Sequence, residues 1–113
     1  MGITNTPPPD LLRGTVDLLI LRTLANGPLH GYAIAQRLRV VSEEVLHVGE
    51  SSLYPSLQRL LIQGWVKASW GTSENNRKAR YYTITAAGKK HLAVERREFE
   101  RMLGAMARVM EQG

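Results

Sequence analysis

The spacing of apolar residues along this chain switches from helical to alternating and back, and this order limits the fold more than any other feature. Between Leu11 and Gln63 the apolar residues recur at helical spacing in three segments. From Trp65 to Thr85 two short β-rich stretches alternate apolar and polar residues, and helical spacing then returns until about Met110. The sequence therefore predicts a mainly α chain with one small β-hairpin before its last helix.

A strong stop signal separates the first two helices. Leu11–Leu24 is so dense in apolar residues that it predicts a helix buried on more than one side, with Asp10 as its N-cap. Asn26-Gly27-Pro28 ends that helix, because this run favours a turn. A second helix is predicted from His30 to Val41.

The third helix is predicted from Ser51 to Gln63, with Gly64 as the C′ residue that ends it. Its apolar residues fall at i, i+4, i+7 and i+8, which marks one buried stripe: they are Leu53, Leu57, Leu60 and Leu61. A turn over residues 43–50 precedes this helix. Three apolar side chains of the turn are expected to anchor it in the core: Val45, Leu46 and Val48.

The two β-rich stretches, residues 65–70 and 80–85, are joined by a polar, turn-forming connection and predict the hairpin. The predicted order is therefore three helices, a hairpin and one more helix. This is the order expected of a winged helix-turn-helix with an added arm. The chain is therefore divided into an unstructured segment (residues 1–9), a winged helix-turn-helix domain (residues 10–85) and a C-terminal dimerisation helix (residues 86–113).

The last helix, from an N-cap at Thr85 to about Met110, carries a short heptad seam. No later segment of this sequence covers the seam, so self-association as a two-fold homodimer is expected. The alternative is that the seam packs back on the first helix of the same subunit. The candidate interface residues are Leu92, Phe99, Met102, Leu103, Met106 and Met110.

The composition excludes several classes of site. There are no cysteines, which rules out disulfides and thiolate ligands. The three histidines lack metal-ligand spacing, and no nucleophile motif or phosphate-binding loop appears, so no metal, no cofactor and no enzymatic activity are expected. No leader pattern or membrane-length apolar run is found, which predicts a cytoplasmic protein without a membrane partner.

Positive charge is concentrated in the hairpin. The formal net charge is +5, and residues 10–64 are neutral, with five basic and five acidic side chains. Residues 65–84 carry four basic side chains against Glu74 alone, a net +3. A local basic excess is typical of a protein that binds a polyanion, although it also serves solubility.

The candidate DNA contacts lie on the third helix and at the hairpin tip. A helix of this kind fits the major groove of B-form DNA, and cations and amides at an exposed tip suit phosphates or a minor groove. The helix candidates are Ser51, Ser52, Tyr54, Ser56, Gln58 and Arg59. The tip candidates are Asn75, Asn76, Arg77, Lys78 and Arg80. The alternatives are an ordinary solvated helix face and a solubilising turn.

Three stretches together resemble the PadR-like transcriptional regulators, in their short form with one C-terminal helix. They are RGTVDLLILRTLANGPLHGYAIAQRL (13–38), ESSLYPSLQRLLIQGW (50–65) and WGTSENNRKARYYTITAAGKKHL (70–92). The resemblance implies a winged-helix dimer that represses transcription, with the third helix in the major groove and the hairpin, or wing, on the DNA backbone. It adds Tyr32 as a backbone contact and a small hydrophobic or phenolic effector near the dimer interface.

The leading interpretation is a sequence-specific DNA-binding regulator that represses transcription as a homodimer on a pseudo-palindromic operator. Its partners would be double-stranded DNA, a second copy of the chain and the effector. The alternative is a winged-helix module that binds another protein and no DNA.

Overall fold

The computed structural model describes residues 9–112, with side chains from Gly14 onward. Its elements, in chain order, are α1 (Pro9–Leu24), β1 (Leu29–His30), α2 (Gly31–Val41), α3 (Glu50–Ile62), β2 (Val66–Thr72), β3 (Lys78–Ile84) and α4 (Ala86–Glu111). The predicted fold class is confirmed, since the chain forms four helices and a small antiparallel sheet and the long helix comes last. Residues 1–8 of the predicted unstructured segment lie outside the described residues.

Local signals set the helix ends. The His30 side chain caps α2, because its Nδ1 accepts a hydrogen bond from the Ala33 N–H at 3.2 Å. Thr85 caps α4 in the same way, accepting from the Gly88 N–H at 3.0 Å. Gly64 follows α3 with a φ of +75°, a conformation that favours glycine. The predicted cap of α1 is wrong, because that helix already begins at Pro9 and includes Asp10.

The sheet has a strand that the sequence prediction missed. β1 pairs with β3, and β2 pairs with the other edge of β3, so the order is β1-β3-β2 with all pairs antiparallel. β1 has only two residues, Leu29 and His30, which is too short to show any periodicity. Its pairing with Tyr82 and Tyr81 ties the start of α2 to the hairpin.

A single apolar core lies between the helices and one face of the sheet. Side chains of α1, α2, α3, the inner face of β2 and β3, and the start of α4 contribute to it. Its members are Val16, Ile20, Leu21, Leu24, Ile34, Leu38, Leu53, Leu57, Leu60, Val66, Tyr82, Ile84 and Leu92. The turn before α3 is less anchored than predicted. Val48 packs against the core, but Val45 and Leu46 are exposed, so that part of the prediction is wrong.

α4 starts in close contact with the short segment that joins α3 to β2. A Cβ atom on Gly88 would overlap the carbonyl oxygen of Trp65, so only glycine permits this approach. The Thr85 hydroxyl donates to the Gly64 carbonyl at 2.7 Å and the Thr85 N–H donates to the Trp65 carbonyl at 3.0 Å. These contacts fix the direction in which the rest of α4 leaves the domain. Across the residues described, no helix is both long and apolar enough to cross a membrane.

Candidate nucleic-acid interface

The polar face of α3 is only partly open to solvent. Ser51, Ser52, Tyr54 and Gln58 are exposed, as predicted for side chains that contact an external partner. The opposite face buries Leu53, Leu57 and Leu60 in the core. These four exposed residues therefore remain the candidates on this helix.

Ser56 and Arg59 face inward, toward Asp17 of α1. Ser56 is fully buried and donates its hydroxyl proton to Asp17 Oδ1. Arg59 reaches the same carboxylate with two donors, Nη2 to Oδ1 at 2.8 Å and Nε to Oδ2 at 3.2 Å. Contrary to the sequence prediction, Ser56 has no surface to offer to DNA, and the Arg59 guanidinium is committed to α1.

A groove runs between the start of α2, the exposed side of α3 and the hairpin. We call it the wing groove; its volume is about 620 Å³. Its walls bring together six of the predicted contacts, which are Tyr32, Tyr54, Asn75, Arg77, Lys78 and Arg80. Sequence reasoning had placed these residues on three separate elements, and only the fold shows that they share one surface. Asn76 is exposed at the tip, beside this groove.

Tyr54 lies over Gly31 at the bottom of the wing groove. An ideal Cβ on Gly31 would stand 2.7 Å from the Tyr54 hydroxyl oxygen, so the glycine makes room for the ring. Burial raises the pKa of the Tyr54 hydroxyl above its usual value, and Glu50 and Tyr82 raise it further. The hydroxyl therefore stays neutral at physiological pH and keeps a proton to donate.

Replacing Gly31 with alanine is expected to lower the free energy of unfolding by about 1–3 kcal/mol, because the new methyl group pushes against the Tyr54 ring. Chemical denaturation measures this cost. In a Tyr54→Phe background the cost should be smaller, because the hydroxyl oxygen is the nearest atom to the added methyl. An equal cost in both backgrounds would show that Tyr54 does not occupy this place.

The hairpin tip is a tight turn that displays basic side chains. Asn76 has a φ of 59°, and its N–H donates to the Ser73 carbonyl at 2.9 Å. Arg77, Lys78 and Arg80 are exposed. In the described part of the chain no carboxylate forms an ion pair with any of these three cations. Their charge is therefore available to an anionic partner.

His30 connects the hairpin to α2, a role the sequence did not indicate. Its Nε2 lies 3.5 Å from Glu74 Oε1 at the tip, and its ring meets the edge of Tyr81 at a centroid distance of 5.4 Å. The pKa of Glu74 is lowered by a hydrogen bond from its own backbone and then by the His30 side chain. His30 thus caps a helix and holds the tip toward the groove at the same time.

A second groove lies between α1 and α4. It has a volume of about 720 Å³, and its walls include Leu18, Leu21, Phe99, Met102, Leu103 and Met106. Trp65 and His91 stack at its side, with ring centroids 3.5 Å apart and planes 12° apart. We call it the α1–α4 groove. Asp17, the acceptor for Ser56 and Arg59, also lines it.

The predicted dimer residues fall into two groups. Met102, Leu103, Met106 and Met110 are exposed and Phe99 is half-buried, so the outer part of α4 presents an uncovered apolar face. Leu92 belongs instead to the core of its own subunit. Contrary to the prediction, Leu92 has little surface left for a partner.

A comparison with protein families decides which family the chain represents. A family model for PadR-like transcriptional regulators matches residues 20–94, which run from the last third of α1 to the first third of α4. The chain belongs to the PadR-like transcriptional regulator family. The resemblance seen in the sequence is confirmed, and this PadR-like chain is a transcriptional regulator.

Solved structures share the fold of the PadR-like chain. A transcriptional regulator from Clostridium thermocellum has a TM-score of 0.78 and 31% identity, covering 88% of this chain and 96% of that one. A PadR family regulator from Eggerthella lenta has a TM-score of 0.73 and 25% identity, covering 92% of this chain and 88% of that one. An uncharacterised protein from Lysinibacillus sphaericus is 32% identical over 84 residues, which are 74% of this chain and 77% of that protein.

Proposed function

We propose that this PadR-like regulator binds a pseudo-palindromic DNA operator as a homodimer and represses transcription. The observation that carries the proposal is the wing groove. It places the exposed face of α3 beside a hairpin whose three cations have no acidic partner in the described part of the chain. An exposed helix face suits the major groove, and unpaired cations beside it suit the neighbouring phosphates.

The residues around the wing groove divide into two kinds of DNA contact. Ser51, Ser52 and Gln58 project from α3 and would meet base edges in the major groove. Arg77, Lys78 and Arg80 would neutralise phosphates, and the uncharged hydroxyl groups of Tyr32 and Tyr54 would donate hydrogen bonds to them. Asn75 and Asn76 extend the wing contact with amide groups. Base contacts would set the operator sequence, and phosphate contacts would hold the subunit in place.

The exposed apolar face of α4 supports dimerisation. Its methionines and Leu103 are exposed along one side of α4, where water covers them in a lone subunit. A two-fold pairing of this face would bury it and would present two copies of α3 to successive turns of the duplex. The adjoining α1–α4 groove is lined mostly by apolar side chains and would receive a small hydrophobic or phenolic effector.

Replacing Arg77 and Lys78 together with alanine is expected to weaken binding to every duplex sequence, because these cations contact phosphate and not bases. The slope of log affinity against log salt should fall by about 2 for each subunit, since each phosphate contact contributes about 0.9. Fluorescence anisotropy of a labelled duplex over a range of salt concentrations measures both effects.

A matched control removes the same charge elsewhere. Lys89 and Lys90 are two adjacent exposed lysines on α4, at the end of β3 opposite the hairpin tip. Alanine at both positions should change the salt slope much less than the wing substitutions do. Equal slopes for the two double variants would contradict a wing on the phosphate backbone. A wild-type protein that binds no duplex at low salt but captures a protein would favour the protein-interaction alternative.

A further inference from the structure

Trp70 is an exposed tryptophan on the hairpin that the proposed contacts leave without a role. Its side chain is 64% exposed, although the other tryptophan, Trp65, is half-buried against His91. A large ring left in water at this level is unusual for a residue that only stabilises the fold, and aromatic residues of this kind are enriched where partners bind.

The register of the hairpin shows which way Trp70 faces. Side chains alternate along a strand, so Val66, Ala68 and Trp70 lie on the same face of β2. Val66 is buried in the core and Ala68 packs against it, so this is the inner face of the sheet. Trp70 lies two residues further on, where the inner face has passed the edge of the core and forms a wall of the wing groove.

Two cations stand beside the ring on the same inner face. Arg80 is the direct cross-strand neighbour of Trp70. Lys78 lies opposite Thr72, which is the next residue on the same face toward the hairpin tip. The Lys78 Nζ is 5.1 Å from the centroid of the Trp70 ring, within the range of a cation–π contact. The Trp70 ring thus contacts the Lys78 ammonium group and lies beside Arg80, and both cations are proposed phosphate contacts.

The indole N–H of Trp70 has no acceptor among the residues that the structure describes. It can serve as a neutral donor to a phosphate oxygen, and the ring offers an apolar surface to a deoxyribose. We propose that Trp70 is a DNA-contacting residue of the wing, which packs on the sugar-phosphate backbone, donates its N–H to a phosphate and holds Lys78 in position. This inference rests on the proposed function and extends it to a residue that carries no charge.

Fluorescence tests the contact directly, because the chain has two tryptophans and each can be isolated. In Trp65→Phe the emission comes from Trp70, and in Trp70→Phe it comes from Trp65. Each variant is titrated with a mixed-sequence duplex at low salt, while the anisotropy of a fluorescein label on the duplex reports binding separately. On saturation, Trp70 emission should be quenched and its quenching by acrylamide should fall at least twofold, whereas Trp65 should change little.

The outcomes separate the contact from the function. Binding seen by anisotropy with unchanged Trp70 emission and unchanged acrylamide quenching would overturn the Trp70 contact and leave the proposed function standing. An absence of binding by the wild-type protein would overturn the proposed function and the contact with it.

Affinity gives a second measurement that does not depend on emission. Trp70→Phe keeps a ring under Lys78 but loses the N–H, so binding to the same duplex should weaken about tenfold or more, the effect of one hydrogen bond to a charged group. The salt slope should stay at the wild-type value, because no charge is lost. A residue that merely shaped the hairpin would lower the slope by displacing the cations. Affinity within twofold of wild type would also overturn the contact.

Discussion

Replacing Leu103 with glutamate is expected to abolish self-association and to weaken binding to a two-half-site duplex by about a hundredfold or more. Leu103 is 50% exposed on the outer part of α4, so the isolated subunit tolerates a charge there. In the proposed dimer the same side chain is buried, and an unpaired carboxylate in an apolar interface costs several kcal/mol. The loss of DNA affinity follows because two linked reading helices bind far more tightly than one.

Analytical ultracentrifugation and anisotropy on one preparation measure both effects. Val94→Glu is a matched control, since Val94 is 54% exposed on the same helix and lies about 180° around the helix axis from Leu103. That variant should remain dimeric and bind normally. A Leu103→Glu protein that is still dimeric, or a monomer that keeps full affinity, would show that this face does not join the two reading helices.

The second large effect is expected at Asp17, where alanine should lower the free energy of unfolding by about 2–4 kcal/mol. Asp17 accepts from Ser56, which is fully buried, and from two donors of Arg59. Without the carboxylate, the buried hydroxyl has no acceptor and the guanidinium loses its partner. Because this network is the polar link between α1 and α3, the direction of α3 should change as well, and DNA affinity should fall.

Thermal and chemical unfolding at equal protomer concentration measure the stability change, since a dimer melts at a temperature that depends on concentration. Glu100→Ala is the control, because Glu100 pairs with Arg96 on the exposed side of α4 at 3.3 Å and such surface pairs add little. Ser56→Ala should cost less than Asp17→Ala, since it leaves the ion pair with Arg59 intact. An Asp17→Ala protein as stable as Glu100→Ala would contradict the role given to this network.

The order and type of the elements could be predicted from local sequence. The four helices, both hairpin strands, the Thr85 cap and the Gly64 stop each depend on residues within a few positions of one another. The local backbone conformation depends on such nearby residues, so periodicity and capping residues are sufficient to predict the type and the ends of these elements. The basic tip could be predicted for a similar reason, because turns lie at the surface and its three charges fall within four residues.

The membership of the candidate site depended on contacts between distant parts of the chain. Ser56 and Arg59 have the same polar character as Ser52 and Gln58. Only their hydrogen bonds to Asp17, 39 and 42 residues away, distinguish this inward-facing pair from the exposed pair. β1 exists because β3, about 50 residues later, offers it hydrogen bonds.

The position of Trp70 in the wing groove also depends on the tertiary structure, because the inner face of the sheet extends past the core at that residue. Periodicity tells which side of an element is apolar, but whether a polar group on the other side meets solvent or a buried carboxylate depends on how the helices pack around one another.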